Sequence, residues 1–205
     1  MSKLLFGTFY TKETSYEQVV NEYLIPSCKK AGIEPIVEGI PNKGTWTKNV
    51  AEKPRIILSL LESFIREDDI LVFVDADATI ERYPIELCNI PSEYEIGYHT
   101  LDWNSWYGYT SQKPVHEVLS GTMIFRNTEN VRHLCAEWYK EAKSSNLWEQ
   151  KVLQGLLKQN GHLKVYDLPV EYCFMTSLPD GRKPLVKCKP IIKHYQKSRE
   201  LKRTL

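Results

Sequence analysis

The chain has 205 residues, 42% of them apolar and 11% aromatic, which suits one domain that buries its own core without disulfides or structural metal. Lysines and arginines number 27 against 26 acids, and the resulting net charge of +1 excludes the basic footprint of a nucleic-acid binder. No apolar run approaches the roughly 20 residues of a membrane span. The apolar stretch after Met1 is too short for a signal peptide, and five cysteines without a Cys-x-x-Cys pair read as free thiols in a reducing, cytoplasmic setting.

Alternating strands and helices follow in order. Residues 3–9 form an apolar run that predicts a first buried strand. Ser15-Tyr16-Glu17-Gln18 has the Ser-x-x-Gln form of a capping box, and Val19, Val20, Tyr23 and Leu24 continue at helical spacing until Gly32. Residues 34–40 predict a second strand. A helix is expected to open near Lys53-Pro54, where proline suits the first turn, and Ile56, Ile57, Leu60, Leu61, Phe64 and Ile65 form its stripe. Ile70-Leu71-Val72-Phe73-Val74 is apolar throughout, the pattern of a strand covered on both faces inside a parallel sheet. Strands are also expected at 94–99, 121–125, 165–168 and 191–192, with helices over 128–140 and 146–157 and a polar, basic tail at 193–205. This order predicts an α/β fold with a mixed sheet and right-handed crossovers, in one domain spanning residues 1–205.

The sharpest local feature is Asp75-Ala76-Asp77, two carboxylates directly after the strand at 70–74. Ligands of open α/β sheets bind beyond the carboxyl ends of the strands, and that is where this pair falls. Two such oxygens suit a hard divalent cation, Mg²⁺ or Mn²⁺, which in turn suits a diphosphate. The spacing alone carries little weight: seven aspartates in 205 residues give roughly 0.2 Asp-x-Asp pairs by chance. A solvated turn is the competing explanation.

The string Asp75-x-Asp77-x-Thr79 resembles the first motif of haloacid-dehalogenase-like phosphatases, but the later acidic pair of that family is missing: only Asp102, Asp167 and Asp180 follow, well apart. It also resembles the Asp-x-Asp motif of GT-A glycosyltransferases, and here the likeness extends along the chain. Trp46, Asn49 and Lys53-Pro54 precede the motif as in nucleotide-diphospho-sugar transferases. Leu119-Ser120-Gly121-Thr122 looks like the Ser-Gly strand of that family, Trp148-Glu149-Gln150 stands where an Asp-Gln often does, and Leu168-Pro169 with Tyr172 looks like a further segment. Ile192-Lys193-His194-Tyr195-Gln196 resembles the His-containing C-terminal motif. In size the chain is similar to the small virus-encoded capsid glycosyltransferases of large algal viruses.

The resemblance implies a GT-A fold, Rossmann-like, with a mostly parallel sheet flanked by helices. It implies transfer of a hexose-type sugar from a UDP-sugar to a glycan or glycoprotein acceptor, with Mn²⁺ or Mg²⁺ held by Asp75, Asp77 and His194. Thr8, Phe9, Tyr10, Lys53, Asp75, Ala76, Ser120, Gly121 and Lys197 form the implied donor-binding set, and Glu149, Gln150 and Asp102 the catalytic set. Each has a plainer alternative: core packing for Phe9, a surface histidine for His194, and the third helical residue after an Asn146 cap for Glu149. Lys197 stands where one family version has glycine and Glu200 where it has lysine, so Lys197, Arg199, Lys202 and Arg203 all remain candidates to clamp a diphosphate. Residues 101–111 read as a loop whose Trp103, Trp106 and Tyr107 could stack on sugar faces. A nucleotidyltransferase built on the same metal-diphosphate site, or a sugar-nucleotide-binding module without catalysis, are the competing functions.

Overall fold

The computed structural model describes residues 2–110 and 115–201. In chain order the elements are β1 (Leu4–Thr11), α1 (Ser15–Val19), α2 (Ile25–Lys30), β2 (Ile36–Ile40), α3 (Trp46–Val50), α4 (Lys53–Phe64), β3 (Ile70–Val74) and β4 (Ala78–Ile80). Then come β5 (Ile96–Asp102), α5 (Trp103–Tyr107), β6 (His116–Phe125), α6 (Glu129–Ser144), α7 (Glu149–Gln159), β7 (Val165–Asp167), β8 (Phe174–Met175), β9 (Ile192–His194) and α8 (Ser198–Leu201).

Six strands pair in the order β2-β1-β3-β6-β5-β7. Only β6 runs against the rest, pairing antiparallel with both β3 and β5. The sheet is therefore mostly parallel, as the apolar run of β3 requires: Ile70, Val72 and Val74 face one core cluster and Leu71 and Phe73 the other. All five are fully buried, at about 1.5–3 kcal/mol each for the transfer from water. Helices α4, α6 and α7 cover one face through Ile57, Leu61, Leu134, Trp138 and Leu153, and the α1–α2 segment covers the other through Val20, Leu24 and Cys28. A second sheet, β4-β9-β8, sits beside the carboxyl end of β3.

Several boundaries differ from expectation for identifiable reasons. The first helix is capped by Thr14 rather than Ser15: the Thr14 hydroxyl accepts from Tyr16 N–H at 3.2 Å, and Glu17 Oε2 accepts from Glu13 N–H at 3.1 Å, just ahead of the cap. That helix widens into a π turn over Val20–Leu24 just before Pro26, which has no N–H to continue the ladder. Trp148, not Asn146, precedes α7, and no side chain caps it. The segment after Asp102 contains a true helical turn, α5, closed by Gly108 at φ 74°. Lys193 and His194 belong to β9 rather than to a solvated tail, and Lys202 and Arg203 lie outside the described residues. No helix among the described residues is long and apolar enough to cross a membrane.

Candidate active site

A crevice of about 710 Å³ opens across the carboxyl ends of the central strands. Because β1 lies to one side of β3 and β5 to the other side of β6, the crevice crosses the sheet. Phe9, Tyr10, Tyr16 and Trp46 line it near β1, Asp75, Asp77, Ser120 and Gly121 at its centre, and Trp103, Tyr107 and Tyr109 beyond β5.

Backbone pairing builds the centre. Asp75 N–H donates to Gly121 O at 2.8 Å, anchoring the turn after β3 to β6. β4 pairs antiparallel with β9 so that Ala78 faces His194, and Tyr195 N–H donates to Asp77 O. Gln196 then adopts a left-handed conformation, φ 57°, which turns Lys197 N–H onto Asp77 Oδ2 at 2.7 Å. These constraints gather Asp75, Asp77 and His194 so that one ligand atom from each lies within 4.8 Å of the others.

His194 is 1% exposed. Its Nε2 is engaged by the Thr122 hydroxyl at 2.8 Å, and its Nδ1 makes no hydrogen bond, since Asp77 Oδ1 at 3.7 Å is too distant for one. A Cβ on residue 121 would lie 3.1 Å from His194 Cε1 and 3.2 Å from Nδ1, so glycine is what lets the imidazole approach the carboxylates. Burial acts to lower the imidazole pKa, but the Cys173 sulfur and the Asp77 carboxylate outweigh it and push it up to about 10. Two carboxylates and an imidazole with a buried nitrogen lacking a partner form a donor set that fits a divalent cation, and imidazole favours Mn²⁺ over Mg²⁺.

Beneath this group lies a buried charge network. Lys53 Nζ sits 2.8 Å from Asp75 Oδ1, 2.8 Å from Glu149 Oε1 and 3.2 Å from Ser120 Oγ. Ser120 Oγ in turn donates to Glu149 Oε1 at 2.9 Å. Burial opposes the Lys53 ammonium, yet the two carboxylates more than compensate and hold it charged. The Asp75 carboxyl is pushed up by desolvation, with the Asp77 charge adding to it and Lys53 pulling against both. Gln150 Oε1 accepts from Ser120 N–H at 3.1 Å, and its Nε2 donates to Glu117 Oε1 at 2.8 Å.

Phe9, Tyr10, Lys53, Asp75, Ala76, Asp77, Ser120, Gly121, Glu149, Gln150 and His194 thus all line one crevice. Three expected residues do not, among the described lining. Thr8 is fully buried within β1. Asp102 caps α5, accepting from Asn104 N–H at 3.0 Å and Ser105 Oγ at 2.6 Å, bonds that hold its carboxyl below the usual range. Lys197 offers only its backbone to Asp77; its ammonium turns to Glu200 at 3.1 Å. Among the described C-terminal cations, Arg199 reaches the crevice, braced by Ser177 O at 2.9 Å. Tyr16, Glu117 and Cys173 also line it and were not anticipated. Glu117 could have been found from period two, since Glu117, Leu119 and Gly121 alternate along β6, but the expected strand began only at Gly121.

A family model described as nucleotide-diphospho-sugar transferase matches residues 27–202. The chain belongs to the nucleotide-diphospho-sugar transferase family. Solved structures share its fold. A glycosyltransferase involved in glycosylation of the major capsid of PBCV-1 is 13% identical with a TM-score of 0.63, covering 99% of this chain and 100% of that one. The galactosyltransferase LgtC, solved in complex with donor and acceptor sugar analogs, is 12% identical with a TM-score of 0.55, over 93% and 86% of the two chains. The glycosyltransferase GlyE of Streptococcus pneumoniae TIGR4 is 14% identical with a TM-score of 0.58; 95% of this chain aligns to 55% of that one. No curated protein sequence matches. This nucleotide-diphospho-sugar transferase therefore has the GT-A architecture, and its Asp75-x-Asp77 pair occupies the centre of the crevice.

Proposed function

We propose that this glycosyltransferase is metal-dependent and moves a hexose-type sugar from a UDP-sugar to a glycan or glycoprotein acceptor, within a single GT-A domain and in the cytoplasm. The observation that carries the reading is the buried His194 Nδ1, without a hydrogen bond, facing Asp75 and Asp77 in the crevice. The donor and acceptor sugar analogs held by LgtC, which shares the fold, support a crevice that takes both substrates.

Asp75, Asp77 and His194 would hold Mn²⁺, or Mg²⁺, which supplies neutralisation of the charge on a departing diphosphate. Lys53 pairs with both Asp75 and Glu149 at 2.8 Å and fixes them where they are, so neither carboxylate must reorganise as charge develops. Arg199 presents a guanidinium to the same crevice and can clamp phosphate oxygens, the role the sequence left open among Lys197, Arg199, Lys202 and Arg203. Phe9 and Tyr10 offer a wall for the base and ribose. Glu149 and Gln150, at the start of α7, line the crevice beside Ser120, which supports their assignment as the groups that face the sugar's anomeric carbon.

Titration calorimetry with UDP, with and without Mn²⁺, tests the reading. The expected result is binding that requires the cation and is lost in Asp77→Ala; binding of equal strength without metal would overturn it. Product analysis separates the competing chemistry, because a nucleotidyltransferase releases pyrophosphate where a glycosyltransferase releases UDP.

A further inference from the structure

Beyond β5 the crevice wall carries three aromatic rings to which the donor reading assigns nothing. Trp103 and Tyr107 lie on α5, and Tyr109 follows the Gly108 cap. Ring centroids are 5.2 Å apart for Trp103 and Tyr107, 5.7 Å for Trp103 and Tyr109, and 5.5 Å for Tyr107 and Tyr109, whose planes differ by only 10°. All three line the crevice, yet Tyr109 is 48% exposed, a large ring left half uncovered at the mouth of a polar site.

The cluster is tied to the catalytic floor. Trp103 Nε1 donates to Glu117 Oε2 at 3.1 Å, while Glu117 Oε1 accepts from Gln150 Nε2 at 2.8 Å and pairs with Lys151 at 3.0 Å. The indole N–H is therefore already used, so Trp103 has only its ring surface to offer a ligand. A ring surface suits the C–H face of a pyranose, with hydroxyl groups left to reach polar neighbours.

An extended peptide fits this wall poorly. It would dock most readily by adding to the free edge of β6 where that strand runs past β3. That edge is closed: Val118 N–H donates to Gln154 Oε1 at 3.3 Å and Ser120 N–H to Gln150 Oε1 at 3.1 Å, so side-chain amides already fill the places a peptide's carbonyls would take.

We infer that Trp103, Tyr107 and Tyr109 form the acceptor subsite and that the acceptor group held there is a sugar ring of a glycan rather than a peptide segment. The inference rests on the transferase reading for the word acceptor; the ring-to-sugar contact stands independently of it. Saturation-transfer NMR with lactose, maltose, cellobiose and diacetylchitobiose as probes, beside an unglycosylated Ser/Thr-rich peptide, tests it in the intact chain. At least one disaccharide is expected to bind and to shift the Trp103 indole signal, identified by its absence in Trp103→Phe. Tyr109→Ala should weaken that binding about tenfold, while Phe64→Ala, an exposed ring outside the crevice, should not. The inference is overturned if no disaccharide binds, if Tyr109→Ala binds as well as the native chain, or if the peptide occupies the rings instead. Saccharide binding at the rings in a protein that fails to bind UDP with Mn²⁺ would uphold the subsite and remove only the transferase reading.

Discussion

The centre of the crevice and its β5 side are built by opposite means. At the centre, Lys53, Asp75, Glu149 and Ser120 interlock through ion pairs and hydrogen bonds, with Lys53 and Glu149 side chains only 4% and 5% exposed. On the β5 side, Trp103 and Tyr107 of a five-residue helix and Tyr109 just past its Gly108 cap meet through ring contacts, and Tyr109 is half open to solvent. Charges taken out of water must be held in fixed geometry or they destabilise the fold, whereas rings tolerate small shifts. The rigid region suits a ligand of fixed charge such as a diphosphate, and the adaptable one suits a partner recognised by shape.

The steepest way to break this contrast is Lys53→Met. It strands two carboxylates, one of them deeply buried, and should cost about 3–5 kcal/mol in urea unfolding, with Lys53→Arg recovering part of it. Asp77→Ala should leave folding intact but reduce Mn²⁺ affinity at least about 100-fold by calorimetry. The cation must displace the His194 proton, which is held up to about 10, so Mn²⁺ affinity should rise about tenfold per pH unit from pH 6 to 8. The same raised pKa stabilises the metal-free fold fully below about 6.5, and that contribution should fade as pH climbs through about 10. A smaller effect is expected from Gly121→Ala, whose methyl group would crowd His194 and weaken Mn²⁺ binding about three- to tenfold with little change in folding. Least of all, Tyr109→Ala should change stability by no more than about 0.5 kcal/mol, measured by thermal unfolding, because its ring rests on the surface.

The two regions also differed in how far they could be read in advance. β3 and Asp75-x-Asp77 were plain, because a strand buried on both faces leaves an unbroken apolar run and its carboxyl end is where α/β sheets bind ligands. His194 followed only from resemblance: β4, β8 and β9 are two or three residues long, too short for any periodicity to betray them. Lys53 was placed at the helix start correctly, but nothing in its neighbours along the chain announces that it reaches Asp75 and Glu149. On the β5 side, aromatic residues outweighed the cues for α5, although Asp102 and Gly108 flank it as N-cap and C-terminal stop. Arg199 could not be told from Lys197, Lys202 and Arg203 because α8, only four residues long, has no periodicity that marks a face.

The hydrogen bond from Lys197 N–H to Asp77 joins positions 120 residues apart. At a synthesis rate of about 5–20 residues per second, roughly 6–24 s pass between the two leaving the peptidyl-transferase centre. Through that interval a nascent chain carries Asp75 and Asp77 with neither β9 nor Gln196 to hold them, although β1, β2 and β3 are already available to pair. The scaffold can therefore begin to form well before the donor site can, and ribosome-bound chains halted before His194 should collect a folded sheet that is blind to Mn²⁺.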